Sequence, residues 1–345
     1  LDGANAQRVL VCQSSETPDT LIENVVVING AASGSFGGGI LIDGASPTVR
    51  NCVFRGNAAQ YGGGIACDNG AAPWIDGCIV ENNTASDGGG VYLEFDSDPL
   101  LEDCTITANS ASDVGAGFHI AYQSNATLVD CVISQNTMPS GSGRDGAGIY
   151  CINSTATLEG CTIADNACQS GGGGGLFIEN SNVDARHCVF EGNAAGNNGG
   201  AVHRFGGTPT IAGAVMTENT ALNGGGVSWS STGFAASISG SSITANTASF
   251  GGGVWIDGDT PDLTITGSTI CENLPGEIDG EFIDGGGNDI CPSVDCNENG
   301  IEDADEIADG SAADCNGNDI IDSCEIADGS AADINLDGIL DECQE

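Results

Sequence analysis

The chain has 345 residues, 55 of them glycine, with 40% hydrophobic and only 5% aromatic residues, a composition that fits short strands joined by tight turns and excludes a helical bundle. Its 49 acidic residues face six basic ones, all arginine, for a net charge of −43; this excludes nucleic acid and anionic membranes as partners and favours divalent cations, although a salt-adapted surface has the same character. No apolar run approaches the roughly 20 residues of a membrane span, and 16 cysteines in a chain that begins at Leu1 without a methionine predict a secreted, processed protein whose export signal has been removed.

In chain order, one asparagine recurs at Asn29, Asn57, Asn83, Asn109, Asn136, Asn166, Asn193, Asn219, Asn246 and Asn273, at intervals of 26 to 30 residues. A glycine cluster keeps step with it, from Gly37–Gly39 through Gly251–Gly253, with a tenth at Gly285–Gly287. Each period holds short alternating stretches. One is Cys52-Val53-Phe54, repeated at Cys78, Cys104, Cys131, Cys161 and Cys188 and continued by Ala214, Ser241 and Ser268; a second follows the glycines, as in Ile40-Leu41-Ile42 and Val91-Tyr92-Leu93. Strands this short are stable only when stacked coil on coil, so the repeat predicts long parallel sheets around a continuous apolar interior.

The asparagine column is expected just after a strand, in a turn that tolerates a left-handed backbone, with side-chain amides bonded from coil to coil at about 4.8 Å spacing. The six stacked cysteines are expected to point inward as small buried hydrophobes, since one strand spacing is slightly long for disulfides. Cys67 and Cys151 receive the same reading.

Phe54-Arg55-Gly56-Asn57, Phe190-Glu191-Gly192-Asn193 and Gly199-Gly200-Ala201-Val202 resemble the FxxN and GGA[ILV] repeats of the β-helical passengers of chlamydial polymorphic outer-membrane proteins, over about 24 to 290. The resemblance implies a pectate-lyase-like, right-handed parallel β-helix and an adhesive surface role. This chain departs from that family in lacking a membrane β-barrel at its C-terminus. The expected fold is therefore all-β: a solenoid of about ten coils over 1–291, roughly 50 Å long, followed by a small calcium-loop tail over 292–345.

In the tail a 19-residue period replaces the longer one. Oxygen-bearing side chains fall at loop positions 1, 3, 5, 9 and 12: Asp295, Asn297, Asn299, Asp303 and Glu306; then Asp314, Asn316, Asn318, Asp322 and Glu325; then Asp333, Asn335, Asp337, Asp341 and Gln344. Ile301, Ile320 and Ile339 stand at position 7, which offers a main-chain carbonyl, and Gly300 and Gly338 at position 6; Asp319 and Gln344 depart from the pattern. This is the spacing that wraps six to eight oxygens around Ca2+. Seven residues between loops leave too little chain for paired EF-hand helices, so the tail resembles thrombospondin type 3 calcium repeats more than a dockerin. Three disulfides are expected: Cys296 with Cys315, Cys324 with Cys343, and Cys271 with Cys291 pinning the last coil.

β-Helices also host polysaccharide lyases and hydrolases, but this chain has no lysine, its arginines are dispersed, and His119, His187 and His203 are few and separated. No catalytic residue is assigned and the chain is read as a non-enzyme. Tyr92, His119, Tyr150, Phe177, His203 and Trp255 occupy the outward middle position of the second strand and predict an exposed ring stripe able to stack on sugars, or simply to support the sheet. Arg204 falls in an inward column, which predicts a bulge or outward turn there. The functional expectation is a structural or adhesive extracellular protein. Its partners would be further copies of itself, joined head to tail into calcium-stabilised filaments, or a cell-surface or matrix partner; the alternative is polysaccharide binding along the stripe, and after it a polysaccharide lyase or hydrolase.

Overall fold

The computed structural model describes residues 1–139, 145–230, 233–258 and 261–291, and in the tail residues 303, 306, 307, 310–315, 321–328, 331, 332 and 340. The chain forms a right-handed parallel β-solenoid. Three sheets each stack eleven strands: sheet I from Leu10–Cys12 to Ile278–Asp279, sheet II from Leu21–Glu23 to Ile283–Asp284, and sheet III from Val26–Ile28 to Asp289–Ile290. A seven-stranded sheet IV, from Ala31–Phe36 to Ala194–Ala195, flanks the first coils. The strands pair in parallel, and sheet I keeps the register the repeat predicts, for example Ile40↔Ile65 and Val91↔Phe118.

The inward columns form the core. In the ten three-residue strands of sheet III it is the middle residue that points in, from Val27 and Phe54 to Ile243 and Ile270, all with no exposure. Its neighbours alternate outward, so Val26, Ile79, Val132 and Val215 are exposed. Cys52, Cys78, Cys104, Cys131, Cys161 and Cys188 are buried free thiols, as expected. Each donates to main-chain carbonyls, as Cys131 Sγ does to Val129 O at 3.4 Å. Where the column changes to serine, hydroxyls take over: Ala214 N donates to Ser241 Oγ and Ser241 N to Ser268 Oγ.

The asparagines form a side-chain ladder from Asn57 to Asn273. Each Oδ1 accepts from the main-chain N and the Nδ2 of the preceding coil's asparagine, as Asn83 does from Asn57 at 2.9 and 3.0 Å. Glu277 ends the ladder by accepting from Asn273 Nδ2. Two expectations shift by one residue. The left-handed backbone belongs to the residue before the ladder position, at Asn82, Ala108 and Gln135 for example. Asn29 itself is such a residue, and Gly30 N, not Asn29, meets Asn57 Oδ1. The tight corner thus precedes the buried amide, which must sit flat to bond in both directions.

The glycine corners are forced by close approach. A Cβ on Gly38 would stand 2.5 Å from Ala58 O and 2.6 Å from Gly63 O. The cluster Gly285–Gly287 is not the tenth corner: it lies between the strands Ile283–Asp284 and Asp289–Ile290, while the last corner is made by Gly276, whose carbonyl accepts from Gly253 N. The expected bulge at Arg204 is also absent, because its strand keeps register with both neighbours, Ile178 and Trp229. Arg204 is fully buried and lies over the Trp229 ring, its charge matched by Asp262. The Cys271–Cys291 disulfide forms, with Cα atoms 5.0 Å apart.

Candidate functional site

The outward column of sheet I does stack its rings. Successive centroids are 4.9 Å apart for Tyr92–His119, 5.1 Å for His119–Tyr150, 5.3 Å for Tyr150–Phe177 and 4.8 Å for Phe177–His203. The stripe is not exposed, however. Tyr92, His119, Tyr150, Phe177 and His203 are between 3% and 7% exposed, because each ring is covered by the rings of the coils above and below and by the columns on either side. Trp255 is half-buried and stands apart from the stack, since Ser228 intervenes and accepts or donates a hydrogen bond with His203 Nδ1. Burial pushes the His119 imidazole down to about 3 and that of His203 down to about 4, so both are neutral.

Above the first rings of this column is a cleft of about 440 Å³. Its floor is Tyr92, His119 and Tyr150. One wall is the column just before the glycine corners: Phe36, Tyr61, Asp87 and Val114. Phe36 stacks on Tyr61 at 4.9 Å, and Tyr61 meets Tyr92 at 5.2 Å. The other wall carries Glu94 and Tyr122; Tyr122 stacks on Phe95 at 5.1 Å, and both rings are about half exposed. Tyr92 donates its hydroxyl to Glu94 Oε2. Burial, then the nearby Asp113, pushes the Asp87 carboxyl up to about 6, and burial also raises Glu94. The wall residues escaped the sequence reading, although Phe36, Tyr61 and Asp87 each stand immediately before a glycine cluster; aligning that position would have found them.

The second location is the tail. Asp303, Glu306, Asp322 and Glu325, at positions 9 and 12 of the first two loops, are all buried, with exposures of 0% to 7%. Asp322 Oδ1 accepts from Cys315 N at 2.9 Å. A seven-residue helix, Asp322–Asp328, runs from position 9 of the second loop to three residues past its position 12. Asp314 is half-buried. Cys315 and Cys324 are each disulfide-bonded. Asp295, Cys296, Asn297, Asn299, Ile301, Asn316, Asn318, Ile320, Asp333, Asn335, Asp337, Ile339, Asp341, Cys343 and Gln344 lie outside the described residues.

Residues 9–155 match the family described as right handed beta helix region. Residues 187–203 match the Chlamydia polymorphic membrane protein repeat. No curated protein and no solved structure matches the chain. The repeat match spans one unit of the ladder described above: Phe190 fills the core, Asn193 joins the amide column, and Gly199 turns the corner at φ +64°. The β-helix architecture is shared by enzymes and non-enzymes, so it leaves the function to the sites.

Proposed function

We propose that the chain is a non-catalytic, surface-exposed extracellular scaffold, a rigid β-helical rod with a calcium-binding segment at 292–345. The observation that supports the scaffold reading is the repeat unit itself. The Phe190/Asn193/Gly199 unit matches a repeat of polymorphic membrane proteins, and its asparagine is bonded from coil to coil along the chain to Asn273. A rod held by ladders of this kind displays a long, stiff, acidic flank. Surface labelling of intact source cells with an antibody to the rod tests this; signal only after permeabilisation would refute it.

The calcium reading rests on charge. Four carboxylates are buried in the tail, yet no basic residue of any kind follows Arg204 in the sequence. Buried carboxylates at this density call for a cation, and Asp303, Glu306, Asp322 and Glu325 supply hard oxygen donors at the loop spacing, with Glu325 in the first turn of its helix. Among the described residues no three of these groups come together, so each ion would be held within its own loop, where bound calcium would offset the charge of that loop's pair, Asp303 with Glu306 or Asp322 with Glu325.

Head-to-tail assembly is the second reading. A parallel solenoid can stack end on end because its terminal strand edges offer main-chain groups for pairing. Electron microscopy and light scattering with calcium and with EDTA decide it: filaments that dissolve in EDTA support a calcium-gated polymer, and monodisperse particles in both conditions reject it.

A further inference from the structure

The cleft on the outer face of sheet I combines three features that the ladders do not require. Its floor and walls are ring faces: Phe36, Tyr61, Tyr92 and Tyr122 converge on one space, with Phe36–Tyr92 centroids 6.0 Å apart. Three carboxylates, Asp87, Glu94 and Asp113, line the same space, and among the described lining residues the only base is His119. Two polar groups there lack protein partners. His119 is 6% exposed and neither ring nitrogen makes a hydrogen bond, and Asp87 Oδ1 is buried without one.

A bare metal ion does not explain this set, because the rings would contribute nothing to its coordination and hard cations take oxygen ligands. A neutral sugar would use the rings but would leave the carboxylate charge in place. An organic cation uses both: ring faces attract positive charge through their quadrupole, and carboxylates at the rim neutralise it. We propose that this cleft binds a small alkylammonium cation, its alkyl groups against Tyr61, Tyr92 and Tyr122 and its charge facing Asp87, Glu94 and Asp113. The cleft volume of about 440 Å³ suits a small organic molecule.

The test is calorimetric titration of the full chain with tetramethylammonium and choline, in saturating calcium so that the tail does not contribute. The neutral carbon isostere 3,3-dimethylbutanol and a neutral oligosaccharide serve as comparisons. The expected result is saturable binding of both cations, at least about tenfold tighter than the isostere. Asp87→Asn and Tyr122→Ala should each weaken it about three- to tenfold, while Phe250→Ala, an exposed ring outside the cleft, should leave it unchanged. Asp87 and Tyr122 are not core positions, so both variants are expected to fold, and circular dichroism with the urea midpoint verifies this. Flotation with phosphatidylcholine vesicles separates the sources: vesicle capture that free choline competes away assigns the cation to a lipid headgroup, and binding of free choline alone assigns it to a soluble amine. Equal binding of the isostere, binding of the oligosaccharide alone, or no saturable cation binding would overturn the proposal.

Discussion

Asp262 accepts a hydrogen bond from Arg204 Nη1 at 3.2 Å across 58 residues of sequence, inside the solenoid. The same carboxylate accepts from Trp229 Nε1 at 3.0 Å and from Gly233 N at 2.8 Å. Arg204 in turn donates to the carbonyls of Ser230, Gly207 and Phe234. One buried cation is thus held by a carboxylate, three carbonyls and a ring face spanning three coils.

Removing one partner of such a pair leaves an uncompensated buried charge. Asp262→Ala should therefore cost about 3–5 kcal/mol, read as a shift of the urea midpoint, whereas the double variant Arg204→Met/Asp262→Ala should cost less than the two single changes summed. Additive losses would mean that the pair is not coupled.

The asparagine ladder makes a second test. Asn136 Nδ2 donates to Ile106 O and Asn166 Oδ1, and its Oδ1 accepts from Asn109 N and Nδ2. Asn136→Ala abolishes all four and strands buried partners in both neighbouring coils, so about 3 kcal/mol or more should be lost. Asn136→Asp should be no better, because it retains the acceptor but places a charge in a buried column. A loss below about 1 kcal/mol would show that the ladder is dispensable.

Ten buried free thiols are found among the described residues. All ten are shut away from solvent inside the solenoid, so a reagent cannot reach them whatever their protonation. The folded protein should therefore give almost no reaction with a thiol reagent at pH 8, and the full free-thiol signal should emerge with the unfolding transition. Fast labelling of the native rod would contradict the burial of the cysteine column.

Asp87 predicts a pH dependence with a definite sign. Its carboxyl is raised to about 6 from an ordinary 3.8, chiefly by burial. The folded state therefore holds this proton to higher pH than the unfolded chain, and stability falls as pH rises from about 4 through about 6, then levels off. After allowance for partial exposure the effect is about 1 kcal/mol. Asp87→Asn should remove that fraction of the slope, measured as the difference between urea midpoints at pH 4.5 and pH 7; an unchanged slope would place Asp87 in an ordinary solvated setting.

On the proposed calcium reading of the tail, Glu325→Gln should weaken calcium binding by about tenfold or more, since it removes a charged oxygen from the last position of the second loop, and no measurable binding by the wild type would refute that reading. Calorimetric titration of wild type against variant reads this directly. Chelation should lower the melting temperature of the wild type, and the variant should respond less.

The sequence by itself determined the solenoid, since a 26- to 30-residue period of core, asparagine and glycine positions allows one stacking register, and a slip of one residue would turn every inward side chain outward. It also placed the thiols inside and paired Cys271 with Cys291. Exposure was a different matter. Tyr92 and Tyr150 read as outward, and they are, but outward from one sheet is not the same as facing water: the rings at 5 Å spacing shield each other and the neighbouring columns close over them. Arg204 read as a fault in an apolar column because Asp262, the group that makes its burial tolerable, lies two coils further along the chain. The cleft likewise joins residues from Phe36 to Tyr150, whose proximity depends on how the corners turn. Periodicity reports what each coil repeats, while side-chain contacts between coils, and the charges they match, exist only once the coils are stacked.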